Sequence, residues 1–292
     1  MTAAPSPSSA PASSPAENPA TQNSRTRHSP AQNSKRYPAP VISPWLLNGF
    51  LAYAPFYVRR HLHTVRVSGA HHLASTEHRA TVIYMNHASW WDPMIAALLA
   101  GAYLRKRSHY TPIDADALQK YKFFSRLGFF GIERNQFRGA RKFLSIGEQI
   151  LSRADSVLWM TPQGRFADVR ERPLKFESGL ANLLLRSQSC SVIPVAVEYA
   201  HWEERTPEAL ILIGAPVEID RSAKPTALNA QLESRLAQEM DELARASISR
   251  KVEGFDSLLH GNAGVGGIYD LWRSFKARLR GEDFTTAHGT RQ

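Results

Sequence analysis

The stretch Thr81-Val-Ile-Tyr-Met85-Asn86-His87-Ala88-Ser89-Trp90-Trp91-Asp92-Pro93-Met94 decides how this chain folds. Its first five residues, Thr81 to Met85, are β-branched, aromatic or apolar, the composition of a strand buried on both faces. A short polar turn follows, and Asp92-Pro93 then opens the apolar run Met94 to Leu104, which is long enough to be a helix. Asp suits a helix N-cap and Pro the first helical position. A strand that delivers into a helix across a short turn is the unit from which α/β folds are built, and that turn is where they collect functional groups.

Working outward, the same alternation continues on both sides. Thr64 to Val67, Phe129 to Glu133, Ser156 to Met160, Val192 to Glu198 and Leu210 to Ile213 are predicted strands. Ala115 to Leu127, Ala140 to Arg153, Glu177 to Arg186 and Ala227 to Ile248 are predicted helices, and the last carries Leu228, Leu232, Leu236, Met240 and Leu243 at intervals of three and four, a stripe that belongs on a core. These elements define an α/β domain over 41–250. Pro194, inside one of the strands, is expected to place that strand at a sheet edge or bulge.

The flanks differ in composition. Residues 1–40 are rich in Pro, Ser and Ala with no hydrophobic run, and are read as a disordered tail without a secretory signal. Residues 44–58, from Pro44 to Val58, are uncharged and aromatic-rich, and Arg59 and Arg60 follow at once. Spanning a bilayer takes about 20 apolar residues. This shorter stretch, broken by Gly49 and Pro55, reads either as an interfacial helix with Trp45, Tyr53 and Tyr57 at headgroup level or as a helix packed on the domain's own core. Residues 251–292 are expected to form a hinge, at Gly264-Val265-Gly266-Gly267, and a basic amphipathic helix, Ile268 to Arg280, suited to a membrane interface or to the protein's own surface.

A net charge of +10 points to an anionic partner. Nucleic acid fits poorly, because the aromatic residues cluster in apolar runs and are not interleaved with basic ones as base-stacking surfaces require. The single cysteine, Cys190, cannot form an internal disulfide, lacks metal-ligand spacing, and reads as a small packed residue. The expected location is the cytoplasmic face of the cell membrane, with peripheral or monotopic attachment.

His87 and Asp92 carry the chemistry. Separated by a turn, the carboxylate can fold onto one imidazole nitrogen and fix its tautomer, leaving the other nitrogen to take a proton from a bound hydroxyl. Such a pair needs neither an enzyme nucleophile nor a metal.

The block Asn86-His87-x-Ser89-x-x-Asp92 resembles the first motif of the glycerolipid acyltransferase family, typified by 1-acyl-sn-glycerol-3-phosphate acyltransferases. Three further blocks follow in that family's order. Gly128-Phe129-Phe130-Gly131-Ile132-Glu133-Arg134 is similar to the second. Pro162-Gln163-Gly164-Arg165-Phe166-Ala167 is similar to the third, Pro-Glu-Gly-Thr-Arg-Ser, but with Gln163 for the glutamate and Arg165 one position early. Phe-Lys-x-Gly has its counterpart around Lys175-Phe176-Glu177-Ser178-Gly179, with Lys175 displaced. Val192-Ile193-Pro194-Val195 resembles the fourth block.

The resemblance implies a mixed central sheet flanked by helices, of the glycerol-3-phosphate acyltransferase-like type. It also implies His87 as general base oriented by Asp92, and a substrate-binding set of Asn86, Ser89, Arg134, Gln163, Gly164, Arg165 and Lys175, with Arg134 on the acceptor's phosphate and amides around Gly164 on the oxyanion. The co-substrate would be acyl-CoA or acyl carrier protein, with no cofactor, and the acceptor lysophosphatidic acid in phospholipid biosynthesis. The departures at Gln163 and Arg165 keep open a phosphate-free acceptor, such as a glycolipid or glycosylated terpenoid. A non-catalytic basic membrane protein on the same fold is the alternative from another class.

Overall fold

The computed structural model describes residues 37–134, 136–187 and 190–261. Eight strands form one sheet: β1 (Thr64–Ser68), β2 (Thr81–Met85), β3 (Ser108–Asp114), β4 (Phe129–Ile132), β5 (Ser156–Met160), β6 (Ser191–Ala200), β7 (Glu208–Ile213) and β8 (Asp256–His260). Their spatial order is β4-β3-β5-β2-β6-β7-β1-β8. The five strands from β4 to β6 run parallel, β7 turns back antiparallel on β6, β1 lies parallel to β7, and β8 closes the edge antiparallel to β1.

The sheet is covered on both faces, and the alternation of side chains along each strand assigns them. Val82 and Tyr84 of β2, with Leu158 and Met160 of β5, join the core packed by α5 (Phe137–Leu151), α6 (Gly179–Arg186) and α7 (Pro225–Ser249). Ile83 and Met85, with Val157 and Trp159, join the core of the opposite face, covered by α1 (Pro44–Arg59) and α3 (Asp92–Tyr103), with Leu73 of the short α2 (His71–Ala74) in the same core. Burial on both faces is what makes the central strands read as continuous apolar runs.

Helix α1 packs along α3 through Leu47, Leu51, Ala54 and Val58, one side of the helix, while Trp45, Tyr53 and Phe56 stay exposed on the other. Among the described residues no helix is long and apolar enough to cross a membrane.

At the end of the sheet where the parallel strands begin, Arg107 is buried and donates to the carbonyls of Thr76, Arg79, Ala154 and Ser156 and to the hydroxyls of Thr76 and Thr81. One guanidinium thus ties the starts of β2, β3 and β5 together.

Several expectations change. Pro194 lies in an interior strand, in register with Tyr84 of β2 and one residue beyond the last pair with β7, Val195 with Ile213, so its missing N–H falls where the β7 ladder ends. The helix expected over Ala115 to Leu127 is α4 (Ala115–Lys120) followed by a 3-10 turn, Lys122–Leu127, closed by Gly128 at φ 97°. The expected boundary at 250 does not hold for the sheet, because β8 lies beyond it. Within the expected tail, Tyr37 is already tied to α5, its N–H donating to Ser145 and its carbonyl accepting from Gln149 Nε2. Residues 1–36 of that tail, the expected hinge at Gly264 to Gly267 and the expected helix Ile268 to Arg280 lie outside the described residues.

Candidate active site

β2 ends at Met85 and the chain crosses to α3 through Asn86 to Trp91. Asn86 is 1% exposed, and its side-chain amide pairs with the backbone of β6, Nδ2 donating to Val197 O (2.9 Å) and Oδ1 accepting from Val197 N (2.8 Å). Both ends of that amide are used, so Asn86 fastens the turn to the sheet and is not a substrate ligand.

His87 comes next, and Nδ1 lies 2.7 Å from Asp92 Oδ2. An ionised carboxylate only accepts, so Nδ1 carries the proton and Nε2 is the basic nitrogen. Asp92 is 2% exposed. Its Oδ2 also accepts from Ser89 N at 3.0 Å, and its Oδ1 accepts from Tyr199 Oη at 2.8 Å. The Asp92 carboxylate therefore orients the imidazole and organises the turn before α3; the helix begins at Asp92 itself, so Trp91 and not Asp92 holds the N-cap position. Ser89 is part of that turn, its Oγ accepting from Trp91 N at 3.3 Å, and it does not line the cavity.

The second strand end, β5, supplies the other wall. Gln163 is 3% exposed and accepts the His87 N–H through Oε1 at 3.0 Å, while His87 O accepts from Ala167 N at 2.9 Å. Gln163 is thus a clamp on the His87 backbone, away from the cavity, and its carbonyl supplies the same acceptor oxygen a glutamate would. Phe166 lays its ring beside the imidazole, centroids 4.1 Å apart. The Gly164 N–H is held by Thr161 O at 2.9 Å, so this amide does not serve an oxyanion as expected.

His87 opens onto a cavity of about 830 Å³. Leu47 and Leu51 of α1, the small residues Ala96, Ala97 and Ala100 of α3, and Trp159 make much of its wall apolar. His109 also lines it, donating from Nε2 to Leu104 O (3.1 Å) and accepting from Trp159 Nε1 (3.2 Å) at Nδ1. Burial pulls the His109 imidazole down to about 4, so it is neutral and polar only toward its own partners.

Glu133, Arg134, Gly164, Arg165 and Glu177 line the same cavity. Gly164 has φ 63°, and a Cβ there would lie 3.4 Å from Arg134 Nη2 and 3.3 Å from Glu177 Cγ, which places Arg134 and Glu177 on either side of this turn. The expected positive wall is smaller than the sequence implies. Arg165 is ion-paired with Glu171. Lys175 is mostly exposed, sits 3.8 Å from the same Glu171, and does not line the cavity.

Two residues escaped the sequence reading. Tyr199, on β6, is the third partner of Asp92; burial and the adjoining carboxylate push its phenol well above the usual range, keeping it a donor. Glu133 was noted only as part of a motif. Cys190 behaves as expected of a packed thiol, pushed up to about 11 by burial.

A buried carboxylate, an imidazole and an apolar cavity at the carboxyl ends of parallel strands form a site that can take a proton from a hydroxyl beside an apolar chain. Residues 64–198, from β1 into β6 and including His87, Asp92 and Arg134, match the family model described as Acyltransferase. The fold is shared with a solved structure, the 1-acyl-sn-glycerophosphate (LPA) acyltransferase PlsC from Thermotoga maritima. The two are 15% identical with a TM-score of 0.50, over 69% of this chain and 79% of that one. No relative with a curated function matches the chain.

Proposed function

We propose that this protein is an O-acyltransferase moving a fatty acyl group from acyl-CoA or acyl carrier protein to a hydroxyl of a lipid acceptor. The observation that carries this reading is the His87 Nδ1 to Asp92 contact of 2.7 Å at the head of the apolar cavity. His87 Nε2 takes the proton of the acceptor hydroxyl as its oxygen bonds to the thioester carbonyl carbon. Asp92, itself held by Tyr199 and Ser89 N, stabilises the imidazolium. The tetrahedral intermediate collapses by breaking the C–S bond, and the thiolate leaves with the proton returned from His87. Arg134, against the Gly164 turn, supplies positive charge on the cavity wall.

Two acceptor classes suit such a site. Lysophosphatidic acid, the acceptor the family resemblance implies, would place its phosphate on Arg134. The make-up of the wall favours the second class, an uncharged hydroxylated headgroup such as a glycolipid. Arg165 is ion-paired with Glu171, Lys175 is off the cavity, and Glu133 and Glu177 line the same cavity as Arg134.

Attachment to a membrane surface fits the exposed Trp45, Tyr53 and Phe56 on α1, the adjoining Arg59 and Arg60, and the net charge of +10. The cytoplasmic face, with peripheral attachment, is the proposed location, and release by alkaline carbonate washing is the expected behaviour.

The test of the reaction is a screen of acceptors with labelled acyl-CoA and product identification by mass, run beside His87→Ala. A general base contributes about 10² to 10⁴ in rate. Transfer by His87→Ala at the wild-type rate would end the assignment.

A further inference from the structure

The turn that carries His87 and Asp92 is tied to the body of the molecule at both ends. Asn86 and the His87 backbone are held by Val197, Gln163 and Ala167, and the Asp92 carboxylate is held by Tyr199. The hydrogen bonds of the residues between do not reach so far. Those of Ser89 and Trp91 stay within residues 89–95, where Asp92 N donates to Ser89 O and the Trp91 carbonyl accepts from Met94 N and Ile95 N. They shape the turn without fastening it to another element. The Trp91 ring supplies the fastening. It lies against Tyr57 and His61, centroids 5.7 and 5.2 Å away, and those two rings are 4.6 Å from each other. His61 is set in place by Nδ1, which donates to Tyr57 O at 2.9 Å. Tyr57 belongs to the last turn of α1, where Ala54 and Val58 are fully buried, so the ring cluster stands on a fixed base.

We propose that Trp91 is a positioning residue: clasped by Tyr57 and His61, it lets α1 hold the turn in which Asp92 meets His87 Nδ1. This rests on the acyl-transfer reading above and adds to it a residue that does not line the cavity. Trp91 immediately precedes Asp92, so a rotation of its peptide swings the carboxylate, whose Oδ2 sits 2.7 Å from Nδ1. A shift of about 1 Å there breaks the hydrogen bond, frees the imidazole to exchange tautomers, and costs about 100-fold in rate. Aromatic pairs are worth about 2- to 10-fold each in an equilibrium beyond the area they bury, which is enough to hold one short turn.

The experiment uses the full chain and reads the pair directly, by NMR of isotope-labelled histidine in mildly alkaline buffer, with the His87 signal identified by its loss in His87→Ala. Wild-type protein should show His87 as one tautomer, protonated at Nδ1. Trp91→Ala should show both tautomers. Its kcat for transfer from palmitoyl-CoA to octyl β-D-glucoside or to lysophosphatidic acid should fall about 10- to 100-fold, with KM nearly unchanged. Trp91→Phe keeps a ring for Tyr57 and His61 and should restore the single tautomer and most of kcat, which a variant that merely misfolds would not. Tyr57→Ala alone should lower kcat about 2- to 10-fold, and should cost less once Trp91 is already alanine, because both changes break the same contact. A single Nδ1 tautomer retained in Trp91→Ala would overturn the proposal, as would fully additive losses in the double variant. A wild-type tautomer that is ordered and is lost in Trp91→Ala, in a protein without turnover on either acceptor, would leave the positioning standing and overturn the acyl-transfer reading.

Discussion

Acidification from pH 7 to pH 5 should destabilise this protein through His109, by an amount the structure allows to be worked out. The imidazole is buried and hydrogen-bonded at both nitrogens, and burial lowers it from 6.5 to about 4. Between those values the unfolded chain binds a proton that the folded chain refuses, so stability is whole above 6.5 and drains away as pH falls toward about 4. Over the 1.5 pH units from 6.5 to 5, at about 1.4 kcal/mol each, the loss is about 2 kcal/mol. Carboxylates elsewhere add their own acid dependence, which is why the comparison is made with His109→Gln. Its amide can still donate to Leu104 O and accept from Trp159 Nε1 but does not titrate. Urea unfolding of both proteins at the two pH values measures the difference. The wild type should lose about 2 kcal/mol more than the variant. Equal losses would show that His109 is not held neutral in the folded chain, and the account of this wall would fail with it.

Tyr199→Phe removes one of three donors to Asp92 and should lower kcat about 10-fold with little change in KM, since hydrogen bonds to charged groups are worth about 1.5–3 kcal/mol; steady-state kinetics decide it. Asn86→Ala leaves the backbone N–H and C=O of Val197 without their buried partners and should cost about 2–4 kcal/mol, read from chemical denaturation. Gly128→Ala forces a side chain into φ 97°, with its Cβ 1.9 Å from His109 O, and should cost more than about 2 kcal/mol in the same measurement. Ala100→Leu puts bulk into the apolar end of the cavity, and competition among acyl-CoAs of increasing chain length should show preference moving to shorter chains.

What could be read beforehand follows physical lines. Strands buried on both faces, such as Thr81 to Met85, announce themselves by continuous apolar composition; four of the five parallel strands were read this way, and β2 among them placed His87 at a strand end. β3, Ser-His-Tyr-Thr-Pro-Ile-Asp, does not, because its polar residues pair with specific neighbours, as His109 does with Trp159, and composition carries no trace of a partner 50 positions away. β8 is an edge strand whose residues are largely exposed, so it offers no apolar run. Within the site, the His87 and Asp92 pair was legible because both belong to one turn. Tyr199 was not, since it comes from β6 and meets Asp92 only once the sheet is assembled. Gln163 was misjudged for a different reason. Reading it as a lost carboxylate assumed that charge mattered there, whereas the His87 N–H needs only an oxygen.

Arg107 lends the sheet its order from the end remote from His87, joining three strand starts in one buried knot. The molecule therefore separates its foundations from its workshop. Changes in the loops around Gly164 or Glu133 leave that anchorage untouched, so the cavity wall can be altered without renegotiating how the strand starts come together.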